Sequence, residues 1–168
     1  EIVRGDLSVP GFGAEVATGV AVVINTLSPP YHRWPELWPA LHQASIDAAT
    51  AAGDGVPLVV LDNVYGYGAT KGAPIHEGLP LRATTRKGRF RADLDADLLE
   101  QSAQGALDAR LVRASDFIGP RGETSIIGHT VFARQVAGKR PQFLGDPTQP
   151  HTYSYIPDVA RALIEIGR

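Results

Sequence analysis

The chain has 168 residues, enough for one domain with a substantial core and too few for two comfortable ones. Its 43% apolar and 20% charged residues are ordinary for a globular protein, and a net charge of -2 gives no electrostatic drive toward nucleic acid or an anionic membrane. The absence of cysteine excludes a disulfide framework and thiolate metal ligands, and no apolar run approaches the roughly 20 residues that span a bilayer. A soluble, cytoplasmic protein is the resulting expectation, with no nucleic acid and no membrane as partner.

In chain order, IVRG at residues 2–5 reads as a weak first strand. AVVI (21–24), PLVVL (57–61) and ARLVRAS (109–115) read as firmer ones. Their near-continuous apolarity, without alternation, predicts strands buried on both faces of a parallel sheet. Between the second and third strands, Trp34, Trp38, Leu41, Ser45, Ala48 and Ala52 recur at spacings of four and three, one face of a helix. Pro35 falls in its first turn, and Gly53 stands where a left-handed cap is expected. Residues 66–80 are rich in Gly and Pro and predict a loop too long for a tight turn, hence a functional one. A second helix is predicted over 84–104, with Phe90, Leu94 and Leu98 on its buried face. A third covers 157–166, with Asp158 in its first turn, where negative charge suits the helix dipole. Strand–helix alternation of this kind predicts an α/β fold built from βαβ units.

Ligands of open parallel sheets bind at the carboxyl ends of the strands. The residues leaving the four strands are Gly5-Asp6-Leu7, Asn25-Thr26-Leu27, Asp62-Asn63-Val64-Tyr65 and Ser115-Asp116-Phe117-Ile118. Each exit carries small polar groups able to hydrogen-bond a ligand, which together predict an extended ligand along the sheet edge. The five histidines (His32, His42, His76, His129, His151) show no metal-ligand spacing, so no metal is expected.

The order GDLS, strand–Asn, strand–xxVYGYG, RASDFIGPRG and GDPTQPHTYSYIPDVARAL resembles the extended short-chain dehydrogenase/reductase family, the NAD-dependent epimerases and dehydratases, over nearly the whole chain. YIPDVARAL is similar to that family's Y-V-x-D-V-A motif and YGYG to its V-Y-G. The resemblance implies one NAD(P)-binding Rossmann-like domain over 1–168, a parallel sheet with flanking helices, in which residues 116–157 contribute to a substrate lobe. GFGAEVATG (11–19) then reads as a helix following the first strand. The family's Gly-rich phosphate turn has no counterpart in this sequence, so the resemblance implies an N-terminally incomplete sheet lacking much of the C-terminal lobe as well.

Residue by residue, the resemblance implies that Asp6 and Leu7 hold the adenine, and that Asn25, Thr26 and Leu27 line the cofactor's ribose and pyrophosphate. Lys87 binds the nicotinamide ribose. Asp116, Phe117 and Ile118 belong to a loop closing over the nicotinamide. Asn63 stands where the family carries a Ser or Thr, and His151 and Tyr153 line the substrate pocket. The implied cofactor is NAD or NADP, and the implied substrate a small molecule, a nucleotide-sugar being the family's commonest class, oxidised or reduced by hydride transfer at a hydroxyl or keto carbon. In the family's Y-x-x-x-K, a phenol moves the hydroxyl proton while a lysine ammonium stabilises the phenolate. Four residues before Lys87 stands Ala83, not Tyr. Tyr65, just past Asn63, is the phenol expected to take the catalytic role, and Tyr67 is expected to pack. Two other readings stay open: a non-catalytic NAD(P)-binding sensor or scaffold, and an α/β fragment without activity. A homodimer built on the Trp34/Trp38 helix and the Lys87 helix is also implied, the alternative being that both tryptophans pack on their own sheet.

Overall fold

The computed structural model describes residues 2–122 and 125–168. A short helix, α1 (Phe12–Ala17), precedes a parallel sheet of β1 (Val23–Asn25), β2 (Pro57–Asn63) and β3 (Asp108–Ala114), in the order β1-β2-β3. Helix α2 (Trp34–Ala52) joins β1 to β2, and α3 (Arg86–Ala103) joins β2 to β3. Helical crossovers of this length are what parallel neighbours require. Ile24 lies opposite Val59, and Val59 opposite Arg110.

The apolar run of β2 occupies the centre of the sheet, where both faces must be covered. Leu58 and Val60 pack with Ile46 and Ala49 of α2 and Leu98 of α3. Val59, pointing the other way, lies beside the end of α5 (Ile156–Ile166), which covers the opposite face with Leu163 buried. The architecture is therefore a Rossmann-like parallel sheet with flanking helices. Among the described residues, no helix is long and apolar enough to cross a membrane.

Several sequence expectations are corrected. IVRG forms no strand: it has no hydrogen-bonded neighbour among the described residues, and Ile2 and Val3 are exposed. Gly53 ends α2 with φ 131° and ψ 167°, an extended conformation reserved for glycine and not a left-handed cap. Helix α3 begins at Arg86, because the Thr85 hydroxyl caps it by accepting from the Gly88 N–H at 3.1 Å. Its buried face is Gly88, Arg91, Asp95 and Leu98, while Phe90 and Leu94 are only half-buried. Residues Asp116–Ile118 are not a loop but strand β4, parallel to β5 (Tyr153–Tyr155) in a second, two-stranded sheet. The Ser115 N–H donates to the Ser154 hydroxyl at 3.0 Å, which pins the two sheets' junction. Between β4 and β5 the chain makes a π-helical turn (Gly128–Phe132) that runs into α4 (Ala133–Val136).

Candidate functional site

The carboxyl end of β2 splits its polar pair. Asp62 turns inward and Asn63 turns along the chain, its side-chain oxygen accepting from the Tyr65 N–H at 2.9 Å. That bond folds residues Tyr65–Tyr67 into a single 3-10 turn. A second such turn, Tyr31–Arg33, follows the exit of β1 and leads directly into α2, held by Trp34, whose indole N–H donates to the Pro29 carbonyl at 2.9 Å. The two turns meet. The Tyr31 and Tyr65 hydroxyls are 2.9 Å apart, their rings stack at 6.3 Å, and Trp34 lies at 4.9 Å from Tyr31 and 6.2 Å from Tyr65. Lys87, in the first turn of α3, places its ammonium 4.3 Å above the Tyr31 ring, a favourable cation–π geometry.

Two strand exits and a helix start thus converge on one patch of phenols and a cation. Sequence reasoning missed Tyr31. The available signal was its place in the exit segment of β1, on the same sheet edge as Tyr65. Tyr31 is 49% exposed. Tyr65 is half-buried, and its phenol pKa is pushed well up, first by that burial, then by the hydrogen bond with Tyr31 and by the negative charge of Asp116. That direction favours the protonated hydroxyl of Tyr65.

Ala83 and Lys87 do not share a helix face, since Ala83 lies before α3. It is built into the packing of the YGYG turn. Its N–H donates to the Gly66 carbonyl at 3.1 Å, and a Cβ on Gly68, at φ +74°, would come within 2.9 Å of the Ala83 Cα. A Cβ on Gly88 would lie 2.6 Å from the Tyr65 carbonyl oxygen. The glycines here admit the chain's own segment.

The remaining predicted residues fall in different places. Asn25 is buried: its amide donates to the Ser45 hydroxyl and its oxygen accepts from the Leu27 N–H, each at 2.8 Å. Its side chain joins β1 to α2. Leu27 is half-buried, and Thr26 beside it is exposed. Asp6 is exposed, and its Oδ1 takes both the N–H and the hydroxyl of Ser8, at 2.9 and 2.7 Å. These bonds lower its pKa, while Leu7 tucks toward Gly13. His151 and Asp116 meet at 2.9 Å (Nε2 to Oδ2), with the Tyr153 ring 4.8 Å from the imidazole. They edge a cavity of about 190 Å³ shared with Ile126, Val131, Phe143 and Leu144. Phe117 and Ile118, in β4, are half-buried. A larger cavity of about 400 Å³ lies at the amino ends of β2 and β3, lined by Gly53, Gly55, Gly105 and Asp108. It is at the wrong edge of the sheet for a ligand of this fold.

Beneath the patch lies a buried ionic network. Asp62 pairs with Arg91 (Nε to Oδ1 2.9 Å) and with Arg113 at 3.3 Å, and Arg113 also binds Asp95 at 2.9 Å and donates to the Tyr67 hydroxyl at 3.0 Å. Arg91 stacks 4.7 Å from the Trp38 ring. Trp34 and Trp38 are 4% and 3% exposed, so both are used within their own chain, and neither is available to a partner. Tyr67 packs as expected. No group of three or more His, Asp or Glu that could hold a metal occurs among the described residues.

No family model matches the chain, and no curated protein matches it. Solved structures do. A UDP-N-acetylglucosamine 4-epimerase from Methanobrevibacter ruminantium M1, in complex with UDP-N-acetylmuramic acid, superimposes with TM-score 0.75 at 18% identity over 96% of this chain. A UDP-glucose 4-epimerase from Brucella ovis in complex with NAD gives 0.72 at 17% over 98%, and RMD from Pseudomonas aeruginosa complexed with NADPH gives 0.73 at 18% over 98%. The likeness is one of fold, and it is the fold the motif order implies. The chain spans 56%, 58% and 63% of those three chains.

Proposed function

We propose that this chain forms part of an NAD(P)-dependent enzyme that moves a hydride to or from a hydroxyl or keto carbon of a small molecule. The observation that carries the reading is the Tyr31–Tyr65–Lys87 cluster at the carboxyl edge of a parallel sheet, in a fold whose solved neighbours include complexes with NAD and with NADPH. The sugar-nucleotide epimerases among those neighbours support a nucleotide-sugar as the first substrate class to try.

Several exposed polar groups could serve the ribose and adenine parts of a dinucleotide. Lys87 makes no salt bridge among the described residues, so its ammonium can serve ribose hydroxyls. Thr26 offers an exposed hydroxyl, and Asp6 keeps Oδ2 outside its Ser8 bonds. Asn25 would contribute through its backbone, its side chain being committed to Ser45. The bound cofactor would supply the hydride acceptor or donor. The protein's own part is to orient the substrate carbonyl and hold a proton beside it. His151 and Asp116, which edge the cavity of about 190 Å³, would bind substrate hydroxyls there.

Titration of the whole protein that carries this chain with NADH and NADPH, followed by nicotinamide fluorescence, tests the cofactor half. Saturable binding of one of them, with oxidation of that cofactor on adding a ketone or keto-sugar, is expected. Binding without turnover of any carbonyl would favour a sensor or scaffold of the same fold, a reading that Ala83 at the usual tyrosine position supports. No binding would remove both.

A further inference from the structure

We propose that Tyr31 is the residue that exchanges the proton with the substrate oxygen, while Tyr65 and Lys87 hold its oxygen and ring in place. The assignment rests on the hydride-transfer reading above and deepens it.

The five tyrosines differ in what they can reach. Tyr67 is buried and its hydroxyl is engaged by Arg113. Tyr153 lies against the His151 ring, and Tyr155 lies in β5 with its ring against Gly119. Tyr65 is half-buried, and burial holds its proton on. Tyr31 alone combines an exposed ring, a hydroxyl 2.9 Å from a second phenol, and an ammonium 4.3 Å from its centroid. The assignment has Tyr65, the less exposed of the two phenols, donating to the Tyr31 oxygen, which leaves the Tyr31 proton to point toward the solvent side.

In the reduction direction the step balances simply. A bound reduced nicotinamide would supply the hydride to the carbonyl carbon; as the C=O π pair moves onto oxygen, that oxygen takes the Tyr31 proton. The alkoxide charge is thereby moved to the Tyr31 oxygen. There it meets the Tyr65 hydroxyl proton, and the Lys87 ammonium over the ring attracts it. Solvent at the exposed side of Tyr31 returns the proton. Oxidation runs the same path backward.

The test uses the whole protein that carries this chain, with Tyr31→Phe and Tyr65→Phe. NADH and NADPH binding are read by fluorescence, and carbonyl reduction by absorbance at 340 nm on 9,10-phenanthrenequinone and a panel of keto-sugars. Neither change should unfold the protein, since each removes one hydroxyl from a patch open to solvent. Expected is a loss in kcat of about 100-fold or more for Tyr31→Phe with cofactor affinity kept, the scale of a lost general acid. Tyr65→Phe should retain about a tenth of the activity and shift the alkaline limb of the pH–rate profile, because it removes a hydrogen bond to the phenolate. If the unmodified chain binds cofactor and reduces a carbonyl but Tyr31→Phe does so equally well, the assignment falls and the hydride-transfer reading stands. If Tyr65→Phe is the more damaging change, the two roles are reversed and the assignment is wrong. If the unmodified chain binds neither cofactor, or reduces none of the probes, the underlying reading falls and takes the assignment with it.

Discussion

Asp95 shows how a residue that reads as a surface charge comes to govern the response to pH. Burial first, and the neighbouring Asp62 carboxylate second, push its pKa from the ordinary 3.8 up to about 7, against the pull of Arg113. Between about pH 4 and pH 7 the folded chain therefore keeps a proton that the unfolded chain has released. By linkage this group's contribution to stability is fully present below the lower value and falls as pH rises through the window. Asp95→Asn removes the titration and keeps an acceptor for Arg113. Urea midpoints measured from pH 4 to pH 8 should decline less steeply in the variant than in the parent, and parallel curves would show that Asp95 does not titrate there. Arg91→Met probes the same network differently. It removes one of two cations facing a fully buried Asp62 carboxylate, and should cost about 3 kcal/mol in denaturant unfolding, the scale of a broken buried pair. A loss below about 1 kcal/mol would mean that Arg113 alone satisfies Asp62.

At the scale of elements, the YGYG turn and the start of α3 are fitted to each other backbone to backbone. A methyl group on Gly88 would meet the Tyr65 carbonyl oxygen at 2.6 Å and the Ala83 Cβ at 2.5 Å. Neither is the free end of a flexible chain, so the turn and the helix must separate. Gly88→Ala should destabilise by about 1–3 kcal/mol, read as a lower melting temperature, and should weaken the Tyr31–Tyr65 contact with it. An unchanged melting temperature would mean that the turn moves freely. This fit also explains which elements were legible. β2 was visible because a central parallel strand must be apolar on both faces, and α2 because its buried positions recur at helical spacing. The true buried face of α3 was hidden, since Arg91 and Asp95 are soluble-looking residues that become core only through partners on β2 and β3. Three-residue β4 and β5 carry no periodicity, and each exists only by pairing with the other across a long stretch of chain. Tyr31 had only its place in the exit segment of β1 as a signal, since nothing local places its hydroxyl beside that of Tyr65.

The described residues form two sheets of unequal strength. The main sheet has a central strand sealed between α2 and α3 on one side and α5 on the other, with Leu58 and Val59 at 0% exposure. The second sheet has two strands of three residues, with Tyr153 and Tyr155 partly open to solvent. Two-stranded pairings are marginal by themselves, so β4 and β5 depend on the Ser115–Ser154 bond and on the start of α5 for their order. The cavity edged by His151 and Asp116 belongs to this weaker half, and the phenol cluster to the stronger one. Local opening free energies should follow that division. In native-state hydrogen exchange, the amides of 58–61 should be among the slowest and exchange near the global unfolding limit. Those of 116–118 and 153–155 should exchange through smaller openings, with little dependence on added denaturant. A small molecule that binds at the cavity should slow exchange in the second group and leave the first unchanged. If both groups instead exchange with one free energy and one denaturant slope, the two sheets open together, and binding at the cavity is coupled directly to the phenol cluster.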